Sequence, residues 1–168
     1  MRRNHERGSS MLEFTLVAIP IIFVIISILE ISRGMWSYHS LVFAVKHGTR
    51  FASVHGQNCA TAPNACTVTT GQIATLIRNM GAGLEATRTN LTFTSRAGSF
   101  TCRLDNCVTR GDVWPPAASE ANLVGRNVEI QGTHSYQSLV TLFWPGAGGP
   151  MTFGAFNLPA ASREQIQF

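Results

Sequence analysis

The chain has 168 residues, with 13 Lys and Arg against 9 Asp and Glu, and a formal net charge of +4. That length suits one modest domain. Losing residues 1–8 would remove Arg2, Arg3, Arg7 and Glu6 and halve the charge to +2, so the basicity belongs to the N-terminal tip; a nucleic-acid surface would instead cluster Lys and Arg on one face.

The tip, MRRNHERG, leads into an apolar run. From Phe14 to Leu29 there is no charge, and only Thr15 and Ser27 carry hydroxyls. A membrane helix needs about 20 mostly apolar residues, and Met11 to Ile31 meets that length with Glu13 and Glu30 near the two interfaces. A secretory signal has a shorter apolar core followed by a small-residue cleavage site. Here the run ends in LEISRGMW, which has no such site. The segment therefore reads as a single span over about residues 11–31. The positive-inside count is nearly balanced by Arg33, Lys46 and Arg50 beyond the run. The N-terminal arginines crowd closer to the span, and the cysteines all follow it, so the N-terminus is expected inside. Pro20 removes an N–H and frees the Leu16 carbonyl, which predicts a kink or local loosening.

The helical pattern continues beyond the span. Tyr38, Leu41, Val45, Gly48 and Ala52 recur at three- and four-residue spacings, which is one helical face. Gly56 supplies a stop. A helix from about Ser10 to His55 would be roughly 65–70 Å long at 1.5 Å per residue. Its first half would lie in lipid, and its second half would lay the Leu41/Val45/Ala52 stripe on a domain.

In that domain CTVTT reads as a short extended piece, and the pattern predicts a helix near Gly71–Met80 with a glycine exit. TNLTFTS alternates, placing Leu91 and Phe93 on one face of a strand. GSFTCRLDNC reads as a strand running into a cysteine-closed turn, and WPPAAS as a loop. RNVEIQGTHSYQSLVTLFWPG starts as a strand with Val128 and Ile130 inward and becomes an apolar stretch ended by Trp144-Pro145. PMTFGAFNLPAASREQIQF reads as a last strand pair or edge. The expected class is α+β: a long N-terminal helix packed on a small antiparallel sheet with one short helix. The expected division is a basic leader over residues 1–8, the long helix over 9–56 and an extracytoplasmic domain over 57–168.

The four cysteines are Cys59, Cys66, Cys102 and Cys107, separated within each local pair by six and four residues. Two local disulfides, 59–66 and 102–107, are the simplest of the three connectivities and imply an oxidising compartment. Zinc is the rival reading, although its knuckles use gaps of about two to four residues; free thiols are the remaining one.

Nothing in the sequence assembles catalytic chemistry. His39, His47 and His55 are eight residues apart, so on a helix they drift around the surface without converging. There is no HExxH, GxSxG or phosphate loop. Asp105 and Asp112 lack calcium-loop spacing. Asn90-Leu91-Thr92 matches a glycosylation acceptor, relevant only where that machinery exists. No enzyme activity, cofactor or metal is expected.

A basic leader ending in Gly8, four further residues, then Glu13 and Phe14 opening the apolar run together resemble the class III signal of type IV-like prepilins. RGSSMLEFTLVAIPIIFVIISILEISRGMW followed by AVKHGTRFASVHG is similar to the TadE-like family of tight-adherence (Flp) pseudopilins. The likeness includes a Glu30/Arg33 exit and the downstream Ala44, Gly48, Arg50 and Ala52, with SREQ at 162–165 weakly similar to the family's C-terminal end. It covers about the first 56 residues, and the cysteine loops depart from it. The resemblance implies a pseudopilin or minor pilin of a tight-adherence pilus or related secretion system. It implies cleavage between Gly8 and Ser9 by a prepilin peptidase. It also implies other pilins or pseudopilins and an inner-membrane assembly platform as partners, and a bacterial inner-membrane location. The physics of the motif stands beside it. Glycine at position 8 leaves room for close backbone approach. Glu13 lies just inside the apolar boundary, where a charge is costly unless partnered. The amino group freed at Ser9, or a neighbour's, would pair with it and set an assembly register; the plainer reading is a carboxylate reaching back into interfacial water. The alternative function is a single-pass anchored extracytoplasmic binding domain that is never cleaved, and a membrane-tethered enzyme is the third.

Overall fold

The computed structural model describes residues 6–61, 63, 66–138 and 156–168. The chain divides into two compact units at Met35/Trp36. One helix, α1 (Glu6–Ser53), runs through both.

In the first unit α1 is apolar on every side. Leu16, Ile25 and Leu29 are all more than half exposed. Without a polar face such a helix has no solvent side. Among the described residues, α1 is the helix long and apolar enough to cross a membrane by length and composition, with a mean hydropathy of 2.7 in its apolar window. Pro20 sits inside the helix without ending it.

The second unit gathers the last third of α1, four strands and the remaining helices. Two single turns, α2 (Gln57–Ala60) and α4 (Leu104–Cys107), each carry a cysteine. Between them lies α3 (Thr70–Met80), the one helix of the domain that the sequence predicts. Its start is a capping box, with the Thr69 hydroxyl accepting from Gln72 N–H and the Gln72 side chain accepting from Thr69 N–H. The sheet comprises β1 (Thr89–Ser95), β2 (Gly98–Arg103), β3 (Asn127–Tyr136) and β4 (Phe156–Gln165). Its order is β2-β1-β3-β4, all neighbours antiparallel. The apolar stretch ended by Trp144-Pro145 lies outside the described residues.

Alternation decides which face of each strand is buried. Leu91 and Phe93 on β1, and Val128 and Ile130 on β3, are fully buried. The final segment is a single edge strand. Ile166 N–H donates to the Arg126 carbonyl at 2.9 Å, so hydrogen-bonded pairs follow at every second position along β3 and β4. Pro159, opposite Thr133, falls between them. The N–H it lacks would have pointed away from β3, which is where a strand tolerates proline.

The core forms where α1, α3 and the sheet meet: Leu41, Val45, Ile73, Ile77, Leu91, Phe93, Trp114, Val128 and Ile130 are all buried in one cluster. Two glycines set the spacing. A Cβ at Gly48 would lie 2.6 Å from Ile77 Cγ1, and one at Gly132 would lie 2.8 Å from Val45 Cγ2. Both are well inside the ~3.5–4.0 Å optimum for carbon contacts. The predicted stripe holds at Leu41, Val45, Gly48 and Ala52, but Tyr38 is 37% exposed. The buried face at that level centres on Ser37 and Leu41, and Tyr38 lies about 100° round from Ser37.

Candidate functional site

The motif residues fall at the N-terminal end of α1. Gly8, Ser9, Glu13 and Phe14 all lie within this helix. Glu13 is four positions after Ser9, close to one helical turn and about 6 Å along the axis. Glu13 is exposed, and Phe14 beside it is 73% exposed. Positions 9 and 13 are thus near neighbours along the same helix.

The rest of the run satisfies its polar groups internally. Thr15 Oγ1 donates to the carbonyls of Met11 and Leu12, each at 3.0 Å. Ser27 donates to Phe23 and Ser32 to Ile28, both at 2.8 Å. Hydroxyls in hydrocarbon need such partners. At the far end Arg33 pairs with Glu30 at 3.6 Å. The Glu-x-x-Arg exit thus has a physical content, because an i,i+3 pair offsets two opposite charges where the apolar run ends.

The downstream small-residue pattern is a packing device. Ala44, Gly48 and Ala52 are buried at four-residue intervals, while Arg50 is exposed in the last turn, where a cation suits the helix C-terminus.

The cysteines form a separate feature in the second unit. Cys59 and Cys66 are disulfide-bonded with Cα atoms 5.0 Å apart, and Cys102 and Cys107 with Cα atoms 5.5 Å apart. The first closes the chain after α1, with Cys66 N–H donating to the Cys59 carbonyl at 2.8 Å. The second ties the end of β2 to α4.

The three helical histidines do not converge, but they are not all plain surface groups. His39 is exposed, His47 packs tilted against Phe43 with ring centroids 4.3 Å apart, and His55 against Phe51 at 4.5 Å. Asp105 is held by Arg103 at 2.7 Å, and that hydrogen bond keeps its carboxyl below the usual range. Asp112 pairs with its own neighbour, Arg110. Among the described residues no group of three His, Cys, Asp or Glu gathers to hold a metal.

A buried histidine that the sequence pattern did not single out is His134. Its Nδ1 is 2.9 Å from Thr89 Oγ1, and the Thr89 hydroxyl donates to the Glu85 carbonyl at 2.9 Å. With the hydroxyl proton so committed, Nδ1–H must be the donor to Thr89, which fixes the neutral tautomer. Burial pushes the His134 pKa down. Its even-numbered place in the alternation with Val128 and Ile130 was the available sign that it points inward.

Residues 8–50 match the family model described as TadE-like protein. The matched segment holds the Gly8/Glu13 motif, the apolar run, the Glu30/Arg33 pair and the small-residue face as far as Arg50. No curated protein and no solved structure matches the chain.

Proposed function

From this TadE-like match we propose that the chain is a pseudopilin or minor pilin that serves assembly of a tight-adherence pilus or related secretion system. It is anchored by one span with its N-terminus cytoplasmic and its cysteine-bearing domain on the outer side of a bacterial inner membrane. A prepilin peptidase cleaves after Gly8. The partners are other pilins or pseudopilins and the inner-membrane assembly platform. The protein's role is structural and not enzymatic.

The observation that carries this reading is the combination on one helix. A glycine-ended basic leader is followed at helical spacing by Glu13-Phe14, and then by an apolar run whose hydroxyls are all internally bonded. The chemistry fits the role. The scissile bond lies just before the span, within reach of a peptidase at the cytoplasmic face. The freed Ser9 amino group would be positive at neutral pH, and Glu13 one turn away supplies its counter-charge at a depth where an unpartnered carboxylate is costly. Exchange of that pairing between subunits would set the axial register of a growing filament.

Intact-mass and N-terminal analysis of protein from a host with an active prepilin peptidase tests it. Ser9 is the expected N-terminus. Retention of residues 1–8 would instead favour the anchored, uncleaved binding domain.

A further inference from the structure

Residues 108–114 form a strap over the N-terminus of α3. Thr70 N–H donates to the Asp112 carbonyl at 2.8 Å, and Gly71 N–H to the Arg110 carbonyl at 3.0 Å. The strap thus satisfies two of the N–H groups that the first turn of a helix leaves without partners. Trp114 N–H donates to the Val68 carbonyl at 2.9 Å, and Thr69 and Val113 pair as an antiparallel bridge. The approach is close. A Cβ at Gly71 would lie 2.6 Å from the Arg110 carbonyl oxygen and 2.8 Å from that of Val108. At its far end the strap sets the buried Trp114 edge-on against Phe93, with ring centroids 5.2 Å apart.

The strap starts from α4, a single turn, and so short a helix has little stability of its own. The Cys102–Cys107 bond fastens that turn to β2. Its two ends differ. Cys107 is fully buried in the core cluster, whereas Cys102 is only partly buried at its edge. The outer side of the strap is held lightly. Arg110, Gly111, Asp112 and Val113 are exposed, and Arg110 lies over Phe100 at 4.5 Å while pairing with Asp112. Contacts of this kind in solvent contribute little. Thr70, whose N–H the strap holds, is fully buried, and among the described residues its hydroxyl has no hydrogen-bond partner. The closed strap therefore carries a desolvated hydroxyl at its foot, a cost that opening relieves.

We propose that the Cys102–Cys107 bond is a redox latch on this strap, opened by a dithiol reductant attacking at Cys102. A thiolate of the reductant reaches the partly buried sulfur of Cys102 and forms a mixed disulfide there. The Cys107 sulfur leaves as a thiolate and takes up a proton. The second thiol of the reductant then displaces Cys102. The reductant departs as a disulfide, and the chain has gained two electrons and two protons as two thiols. The Cys107 thiolate forms among apolar side chains, where a charge is costly, so its release loosens α4 and frees the strap. The sheet and its seam with α1 do not depend on this bond and stay closed. The other bridge lacks the asymmetry: Cys59 and Cys66 are both partly buried. The latch goes beyond the pilus reading and does not rest on it.

The test is hydrogen exchange of the full chain in detergent micelles, with and without dithiothreitol, while alkylation of parallel samples counts the free thiols. On reduction, exchange of residues 108–114 and of the Thr70 and Gly71 amides should rise roughly tenfold or more, with β1 and β3 unchanged. Cys59→Ala with Cys66→Ala should keep this response. Cys102→Ala with Cys107→Ala should show the fast strap without reductant and no further change with it. Glutathione, a monothiol, should be trapped on Cys102. A strap that stays protected in wild-type protein whose Cys102 and Cys107 are both free thiols overturns the latch. Loss of protection in β1 and β3 together with the strap makes the bond a staple of the whole domain and also overturns it. So does a 102–107 bond that dithiothreitol leaves intact in the folded chain, and glutathione trapped on Cys107 overturns the direction of attack.

Discussion

Gly132→Ala offers the sharpest test of how the domain is held to α1. The added methyl carbon would lie 2.8 Å from Val45 Cγ2 and 3.0 Å from Leu41 Cδ1. Both side chains are fully buried, and Val45 is β-branched and stiff about χ1, so the seam must open. Overpacking of this kind costs about 1–3 kcal/mol. Replacing a strand glycine returns roughly 0.5–1 kcal/mol of chain entropy. The expected net loss is about 1 kcal/mol, within a range of about 0–2.5 kcal/mol. Val45→Ala alone removes two methyl groups from the same place and should cost ~2 kcal/mol, from lost burial and the cavity left behind. In the double variant the new methyl enters the space that Val45 vacates, so the two losses should fall short of additivity by about 1 kcal/mol, as expected for groups in contact. Urea unfolding of the full chain in detergent micelles, followed through the near-UV signal of buried Trp114, supplies all four values. Gly132→Ala at or above wild-type stability, with strict additivity in the double variant, would refute the close crossing of α1 over β3.

Three further outcomes follow from other parts of the molecule. Burial lowers the folded-state pKa of His134 below its unfolded value near 6.5; the unfolded chain therefore takes up the proton first, and stability that is full above that value should fall as pH drops through it toward the depressed folded pKa. His134→Gln should flatten this acid limb of a pH series of unfolding midpoints, and an unchanged limb would remove His134 as its cause. The bridges close short loops, so each is worth only about 2 kcal/mol; non-reducing peptide mapping should return 59–66 and 102–107 linkages, and crossed pairing would contradict the structure. Glu13→Leu should still insert and be processed but should fail to support pilus assembly, with Glu13→Asp intermediate; wild-type piliation by the processed Leu variant would reduce Glu13 to an interfacial carboxylate.

Much of the architecture was readable from local pattern. A charge-free run of membrane length reads as a helix because no other described segment combines that length with that apolarity. Period-two alternation at Leu91/Phe93 and Val128/Ile130 placed two strands and their inward faces, since a strand buried on one side has little choice. The motif at Gly8, Glu13 and Phe14 depends on spacing along one helix, so sequence distance gave its geometry directly. Tertiary structure decided what depends on meeting across the chain. Nothing local says that Gly48 faces Ile77 or that Gly132 faces Val45; those glycines acquire meaning only when α3 and β3 come up against α1. Tyr38 shared the helical period but fell outside the buried face, because at that level the face centres on Ser37 and Leu41, which the period alone does not decide. His134 is buried and tautomer-locked by Thr89, a residue 45 positions away. Gly83 likewise lies against Trp36 because α3 runs antiparallel to α1 and carries its closing turn back to that level, a direction that chain order alone does not set.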